Sequence, residues 1–128
     1  MTRSKQSPFV NHVGIVIEER RAGFSRLTLA VGPEHINSVG VVHGGVCFTL
    51  ADTAMGAALV SALEPGEKCA TLDVHISYLK PVVTGLISCT AELIHHGNSI
   101  AHLESSVHVD GALVARASAN FAIIKPRA

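Results

Sequence analysis

Hydrophobic and polar positions divide the chain into one helical segment and six extended segments. Residues from Gly44 to about Leu63 are rich in alanine and leucine and end before Pro65-Gly66, which predicts the only long helix. Small or apolar residues occur all round this helix, so we expect other parts of the protein to enclose it. The remaining segments alternate apolar and polar residues or are rich in β-branched residues, which predicts strands. These strands are residues 12–19, 24–31, about 68–79, 86–95, 100–109 and 113–124.

The connections between these segments have the composition of turns and leave no room for a second domain. Arg20–Gly23 and Asp110-Gly111 predict hairpin turns, and residues 32–40 predict a longer loop before the helix. Because six antiparallel strands must bury one helix, we expect an α+β architecture in which a curled sheet wraps around it. Residues 1–128 then form a single domain, with residues 1–8 as a loose N-terminal tail.

Composition favours an oligomer and argues against nucleic acid and membranes as partners. Hydrophobic residues make up 48% of the chain, a high share for a small domain, so we expect part of the apolar surface to form subunit contacts. Ten basic residues balance ten acidic ones, so no strong field attracts nucleic acid or an anionic membrane. The segments lack a signal-peptide pattern and a convincing membrane span, which predicts a soluble protein.

The three cysteines are too widely spaced for a paired motif. Cys47, Cys69 and Cys89 form no CxxC pair, so we expect neither a disulfide framework nor a cysteine zinc site. Free thiols are typical of a reducing compartment, and the sequence therefore predicts a cytoplasmic protein.

The start of the predicted helix has the sequence His43-Gly44-Gly45. Glycines allow a ligand to approach the backbone closely, and the first N–H groups of a helix have no partner within it. These groups lie at the positive end of the helix dipole, where they can stabilise a carbonyl oxygen that gains negative charge. The simpler interpretation is that the glycines only bend the chain into the helix, and these residues alone favour it.

Asp52 is the one charged residue in the predicted helix. Burying a carboxylate without a partner costs several kcal/mol, and no basic residue lies three or four positions away along the helix. An ion pair or a backbone partner elsewhere in the fold would give it a structural role. A buried, reactive carboxylate is at least as consistent with the pattern.

The spacing of these groups predicts a site shared by two subunits. His43 and Asp52 are nine positions apart, which is about 13 Å along a helix, so they cannot meet on one small substrate group within one chain. Two antiparallel copies of the helix across a twofold axis would bring the helix start of one subunit near Asp52 of the other.

The combined pattern resembles the hotdog-fold acyl-CoA thioesterases, specifically the phenylacetate-degradation-type (phenylacetyl-CoA) thioesterase family. The resemblance covers nearly the whole chain and implies hydrolysis of an acyl-CoA or aryl-acyl-CoA thioester by a homodimer, assembled as a dimer of dimers. It rests on three runs of residues: Asn37…Gly40-Val-Val-His43-Gly44-Gly45, Leu50-Ala51-Asp52-Thr53-Ala54, and Thr71-Leu-Asp73…Tyr78-Leu-Lys80-Pro81.

The resemblance also implies catalytic roles. Asp52 would act as general base on water, or as a nucleophile that forms a transient anhydride. The Gly44 N–H of the partner subunit would polarise the thioester carbonyl. His43 and Asn37 would orient the loop and the substrate or water, and Thr71 would help to position the water. No metal or organic cofactor is implied, because the thioester is already activated.

Substrate binding is implied for Gly45 and Tyr78 and for one turn of the sheet. The segment His95-His96-Gly97-Asn98-Ser99 matches the turn that lies against coenzyme A in the family. Many relatives have arginine or lysine in this turn, whereas this chain has two histidines. Other basic residues are therefore alternative phosphate contacts, namely Lys80, Lys125 and Arg127.

Other chemistry fits the sequence less well. His95 and His96 are adjacent on a strand and would point to opposite faces, which argues against a shared metal ion. Cys47 has no evident partner and fits a small buried thiol better than a nucleophile. Asp73 and His75 share a face of one strand, where a polar row exposed to solvent or a partner fits better than a catalytic pair.

Three rival functions follow from the same residues. A module that binds acyl-CoA without hydrolysing it could have the same fold, although retention of Asp52 and the Gly44 helix start argues against it. A hotdog enoyl-CoA hydratase would pair an aspartate with a histidine a few residues later, which Asp52 lacks. A purely structural oligomer would leave a buried Asp52 unexplained. The sequence does not specify the acyl group.

Overall fold

The computed structural model describes residues 7–127, which form two α-helices and six strands. The order of the long helix and the strands is the predicted one, and each strand boundary from residue 68 onward lies within one residue of the prediction. The elements are α1 (Pro8–Val13), β1 (Ile15–Arg21), β2 (Phe24–Ala30), α2 (Gly44–Val60), β3 (Lys68–Tyr78), β4 (Leu86–His96), β5 (Ile100–Val109) and β6 (Ala112–Ile124), with a 3₁₀ turn at Pro33–His35.

All six strands form one antiparallel sheet in the order β1-β2-β4-β5-β6-β3. The sheet curls around α2, which contacts every strand and buries Leu50, Met55 and Leu59 against it. The predicted α+β hotdog architecture is therefore confirmed. None of the helices within residues 7–127 has the length and apolar character that a membrane span requires.

The N-terminal segment differs from the prediction. Residues 1–6 of the predicted tail lie outside the described residues, but Pro8 already begins a helix. The strand that was predicted to begin at His12 begins at Ile15. The prediction of a tail followed directly by a strand is therefore wrong between residues 8 and 13.

Local capping explains the short helix α1. The Ser7 hydroxyl accepts the Val10 N–H at 3.0 Å, and Pro8 occupies the first helical position, where its missing N–H costs nothing. Gly14 has a φ of 96° and closes the helix with a left-handed residue. The Ser-Pro start and the glycine six residues later were a readable signal for this helix.

One side of α2 is not covered by the rest of the protomer. The prediction of an enclosed helix is therefore wrong for a single protomer. The curled sheet buries residues such as Leu50 and Ala54, while a stripe at helical spacing remains exposed or half-buried. Residues three or four positions apart share a helix face, so this stripe is one continuous surface. It consists of Gly45, Phe48, Thr49, Asp52, Thr53, Gly56 and Val60.

The two edges of the sheet differ in charge. β1 has four charged residues in a row, Glu18-Glu19-Arg20-Arg21, which protect its free edge against pairing with another chain. β3 pairs only with β6, and Lys68 and Asp73 are its only charged side chains. Leu72 of β3 is 55% exposed. This unprotected edge has the properties of a surface that is covered by a partner.

A β-bulge in β3 separates two side chains that would otherwise share a face. The register with β6 shifts between Thr71 and Asp73, so that Thr71 lies opposite the core residue Phe121 and Asp73 lies opposite Asn120. Thr71 therefore points towards α2, and Asp73 points to the outer face. The Asp73 carboxylate accepts both the backbone N–H and the side-chain amide of Asn120, at 3.1 and 3.0 Å, which gives it a structural role.

Cys89 is fully buried on β4, beneath α2. Burial, with a smaller contribution from nearby Cys47, raises the pKa of its thiol to about 12 from an ordinary value of 9.0. The folded protein thus keeps this proton at pH values where the unfolded chain has lost it.

We expect this thiol to make the protein less stable in alkali. Since the unfolded chain releases the Cys89 proton near its ordinary pKa and the folded protein does not, the free energy of unfolding should fall as pH rises from about 9 towards 12. Urea denaturation at about pH 8 and about pH 10.5 measures the loss, and Cys89→Ala should show a smaller one. An equal loss in the wild type and the variant would contradict this account.

Candidate active site

His43 caps the start of α2 and leaves little room for a side chain at position 45. Its Nδ1 accepts the Gly45 N–H at 2.8 Å, so the neutral ring has its proton on Nε2. A Cβ atom on Gly45 would lie 2.9 Å from that Nδ1, which is too close for any other residue without displacing the ring. The histidine and the second glycine therefore form one unit.

Tyr78 packs tightly against Gly44. Its hydroxyl donates to the Gly44 carbonyl oxygen at 2.7 Å, and a Cβ atom on Gly44 would lie 3.1 Å from the Tyr78 Cζ. No acceptor for the Gly44 N–H occurs among the described residues, as expected for the first N–H of a helix. The helix start thus offers one free, half-buried donor.

Asn37 closes the loop that leads into the helix. Its Oδ1 accepts the N–H groups of Val39 and Val41, at 3.0 and 3.1 Å, and its own N–H donates to the Val41 carbonyl oxygen at 2.7 Å. With its amide oxygen occupied in this way, Asn37 holds the loop and lines the adjoining cleft with the rest of its side chain.

His35 is a supporting residue that the sequence did not reveal. It is buried, and its Nδ1 accepts the Gly32 N–H at 2.9 Å, so its Nε2 donates to the Val13 carbonyl oxygen at 2.6 Å. The His35 carbonyl oxygen accepts the His43 N–H at 2.8 Å. This histidine ties α1 to the loop before α2, and no motif or periodic pattern marks it.

Asp52 lies beside β3, on the uncovered stripe of α2. It is half-buried rather than buried in the single protomer, and Thr71 Oγ1 donates to its Oδ1 at 2.9 Å. Between residues 7 and 127 no basic side chain forms an ion pair with it, and its Oδ2 has no donor. Burial first, and then the Asp52 charge, raise the pKa of the nearby Cys69 thiol.

The two halves of the site do not meet within one protomer. Gly44 contacts Tyr78 near the end of β3, whereas Asp52 contacts Thr71 nearer its beginning. Thr71 and Tyr78 are six paired positions apart on the strand, which corresponds to about 20 Å. The structure brings Asp52 together with Thr71, and it brings His43, Gly44 and Gly45 together with Tyr78, as two separate groups.

The predicted coenzyme A turn belongs to the Asp52 half of the sheet. One row of paired residues crosses the strands β3, β6, β5 and β4, and it consists of Thr71, Phe121, Ala101 and His96. The turn after His96 is therefore about three strand spacings from Thr71. His95 lies opposite His102 and points to the other face.

Backbone contacts fix the shape of this turn. Gly97 donates its N–H to the Ile100 carbonyl oxygen at 2.9 Å, and a Cβ atom on Gly97 would lie 2.6 Å from that oxygen, so glycine is required. The turn continues through Asn98 to Ser99, whose carbonyl oxygen accepts the Ile123 N–H at 2.8 Å.

Two clefts flank the helix start. The larger, of about 320 Å³, lies on the Tyr78 side and is mainly apolar, with Asn37, Cys47 and Lys80 among its walls. Its aliphatic walls are Val41, Val42, Leu79, Pro81, Val82 and Val114. The other, of about 290 Å³, lies between α1 and the His43 side of the helix and is lined by Phe9, Val13 and Val46.

The remaining candidate groups are Lys125, Cys47 and the side chains that could bind a metal ion. Lys125 forms an ion pair with Glu67, and this hydrogen bond lowers the pKa of the Glu67 carboxyl. Cys47 is buried in the wall of the larger cleft, and burial raises its thiol pKa, which opposes a nucleophilic role. Across residues 7–127, no three side chains of His, Cys, Asp or Glu are grouped to hold a metal ion.

Comparison with known sequences finds relatives that are named as a "Putative esterase" and as a CoA hydrolase. The family model of the thioesterase superfamily matches residues 39–117, more than half of the chain. A "Putative esterase" of Haemophilus influenzae is 33% identical over 91 residues, 71% of this chain and 66% of that protein. A 1,4-dihydroxy-2-naphthoyl-CoA hydrolase of Listeria monocytogenes is 32% identical over 87 residues, 68% of this chain and 71% of that protein. The chain thus spans about two thirds of these relatives' length.

Solved structures share the whole fold. A conserved protein of Pseudomonas aeruginosa is 29% identical with a TM-score of 0.92, and the match covers 97% of this chain and 100% of that one. A phenylacetic acid degradation-related protein of Ralstonia eutropha is 28% identical with a TM-score of 0.85, over 94% of this chain and 93% of that one. These matches confirm the family resemblance predicted from the motifs, and the chain belongs to the thioesterase superfamily.

Proposed function

We propose that this protein hydrolyses an acyl-CoA or aryl-acyl-CoA thioester to the free acid and CoA, at a site shared by two subunits. The observation that carries the proposal is the free Gly44 N–H at one end of α2 and the Thr71-bound Asp52 carboxylate further along its uncovered stripe. The chain belongs to the thioesterase superfamily, and the Listeria relative is named for hydrolysis of a CoA thioester.

Pairing of two β3 edges would complete the site. Leu72 lies in the β-bulge and has no paired residue on β6. Counted in paired positions, Thr71 and Tyr78 are therefore each three steps from His75. An antiparallel pair of β3 strands with its twofold axis at His75 therefore sets Thr71 opposite Tyr78 of the partner subunit. Gly44 of the partner subunit contacts that tyrosine, so it then lies near Asp52 of the first subunit. The same contact covers the free edge of β3.

The reaction follows from these positions. The thioester carbonyl oxygen accepts the Gly44 N–H, which stabilises the negative charge that develops on it. As general base, Asp52 takes a proton from water while the water oxygen bonds to the carbonyl carbon; the carbon–sulfur bond then breaks and the proton passes to the CoA sulfur. As nucleophile, Asp52 would instead form an acyl anhydride that water hydrolyses. In both routes Thr71 orients the carboxylate.

Substrate contacts are assigned by position. The apolar cleft beside Tyr78 suits the acyl group, with Gly45 and Asn37 near the reacting carbonyl and the His43 Nε2–H available to the substrate or water. The CoA moiety lies along the turn from His95 to Ser99, with Lys80, Lys125 and Arg127 as further phosphate contacts. A dimer of dimers and a cytoplasmic location, the latter consistent with three free thiols, complete the proposal.

Asp52→Asn should reduce kcat by about 10²-fold or more, because the amide cannot act as base or nucleophile. Release of CoA thiol from short-chain, long-chain and aromatic CoA esters measures turnover. Asp73→Asn is the matched control: it removes a carboxylate from the outer face of β3 and should retain turnover. Near-normal turnover by Asp52→Asn on every thioester that the wild type cleaves would contradict the proposal.

The rival functions predict different results in the same preparation. Tight calorimetric binding of acyl-CoA without thiol release by the wild type would identify a binding module. Addition of water to an enoyl-CoA, with no thiol release, would identify a hydratase.

His75→Cys should form a covalent dimer on mild oxidation, because the proposed axis places the two copies of residue 75 directly opposite each other. Non-reducing electrophoresis detects the product, with the wild type as control for the native thiols. Ser77→Cys lies on the same face but four steps from its own copy, which is too far for a disulfide. Cross-linking through Ser77→Cys instead, or through neither variant, would contradict this register.

A further inference from the structure

Tyr78 makes two contacts with a single residue at the helix start. Its hydroxyl donates to the Gly44 carbonyl oxygen at 2.7 Å, and its ring lies close enough that a Cβ atom on Gly44 would be 3.1 Å from Cζ. The side chain is nevertheless 52% exposed, so it is not a core residue. Its contacts are directed at the backbone that presents the free N–H.

The peptide between Gly44 and Gly45 is held at both of its polar groups. Its carbonyl oxygen accepts the Tyr78 hydroxyl, and its N–H donates to His43 Nδ1 at 2.8 Å. Because a peptide unit is planar, two such bonds fix the orientation of the whole plane. The free N–H belongs to the preceding peptide, joined at the Gly44 Cα, where glycine alone would leave wide conformational freedom.

We infer that Tyr78 is a positioning residue that fixes the direction of the Gly44 N–H towards the thioester carbonyl. This inference rests on the proposed function, in which that N–H stabilises the developing oxyanion. It gives Tyr78 a role distinct from a substrate contact, since the hydroxyl is already engaged by Gly44.

The protonation of Tyr78 suits this role. Burial, followed by the nearby Cys47, raises the pKa of its phenol above the ordinary value. The hydroxyl therefore keeps its proton, and remains a donor to Gly44, throughout the neutral pH range.

Tyr78→Phe tests the role most directly, because it keeps the ring against Gly44 and removes only the hydrogen bond. We expect kcat to fall about tenfold with KM within about twofold, since a misdirected donor loses part of the 10²–10³-fold effect of an oxyanion donor. Leu79→Ala is the contrasting variant, because Leu79 lines the same cleft without bonding to the helix. It should raise KM and leave kcat within about twofold.

The outcomes separate this inference from the proposed function. A Tyr78→Phe protein with unchanged kcat and only a lower melting temperature would overturn the positioning role, while inactivity of Asp52→Asn in the same assay would leave the proposed function intact. A wild type that hydrolyses no thioester would overturn both.

A spectroscopic measurement gives an independent readout. Tyr78 is the only tyrosine and tryptophan is absent, so phenolate absorbance reports this residue alone in the native protein. Its titration should lie above that of free tyrosine in the wild type and move back towards it in Gly44→Ala, whose added Cβ displaces the ring. Identical titrations in the two proteins would contradict the contact.

Discussion

An α-helix rises about 1.5 Å per residue, so the eight positions between Gly44 and Asp52 hold the two groups about 12 Å apart in one protomer. No rearrangement of side chains can close this gap, because both groups belong to the same rigid helix. The uncovered stripe of α2 and the free edge of β3 border this region, and both have the properties of surfaces that pack against a second copy. In the proposed mechanism, where both groups act on one thioester, this separation makes dimerisation a condition of catalysis.

Most of the fold could be predicted because its hydrophobic pattern is consistent with its turns. Asp110 and Gly111 both have positive φ, as the predicted hairpin turn requires, and the alternating segments became β5 and β6 with almost the predicted bounds. Helix α1 was missed because six residues carry too short a pattern, and only the Ser7-Pro8 cap marks it. The bulge in β3 depends on Asn120 from another strand, which local pattern cannot reveal.

The candidate site was predictable as a set of residues and less so as a set of contacts. The motif identified Asp52 and Gly44, and spacing along the helix excluded their meeting in one chain. The reason for Gly44 is tertiary, because the Tyr78 ring occupies the space beside it, whereas the reason for Gly45 is local, because the ring of nearby His43 occupies the space beside it. The sequence also overestimated how deeply one protomer buries Asp52, because one side of α2 is not covered by the sheet.

Complementation between two inactive chains tests the shared site most directly. Gly44→Pro removes the free N–H at a position where helices tolerate proline, and Gly44→Ala, which keeps the N–H but adds the same Cβ against Tyr78, measures the effect of displacing that ring alone. A heterodimer of Gly44→Pro and Asp52→Asn chains, co-expressed with different tags and isolated by two affinity steps, should regain about half of the wild-type kcat, because one of its two sites has both groups intact. A heterodimer as inactive as either parent would contradict a site divided between subunits.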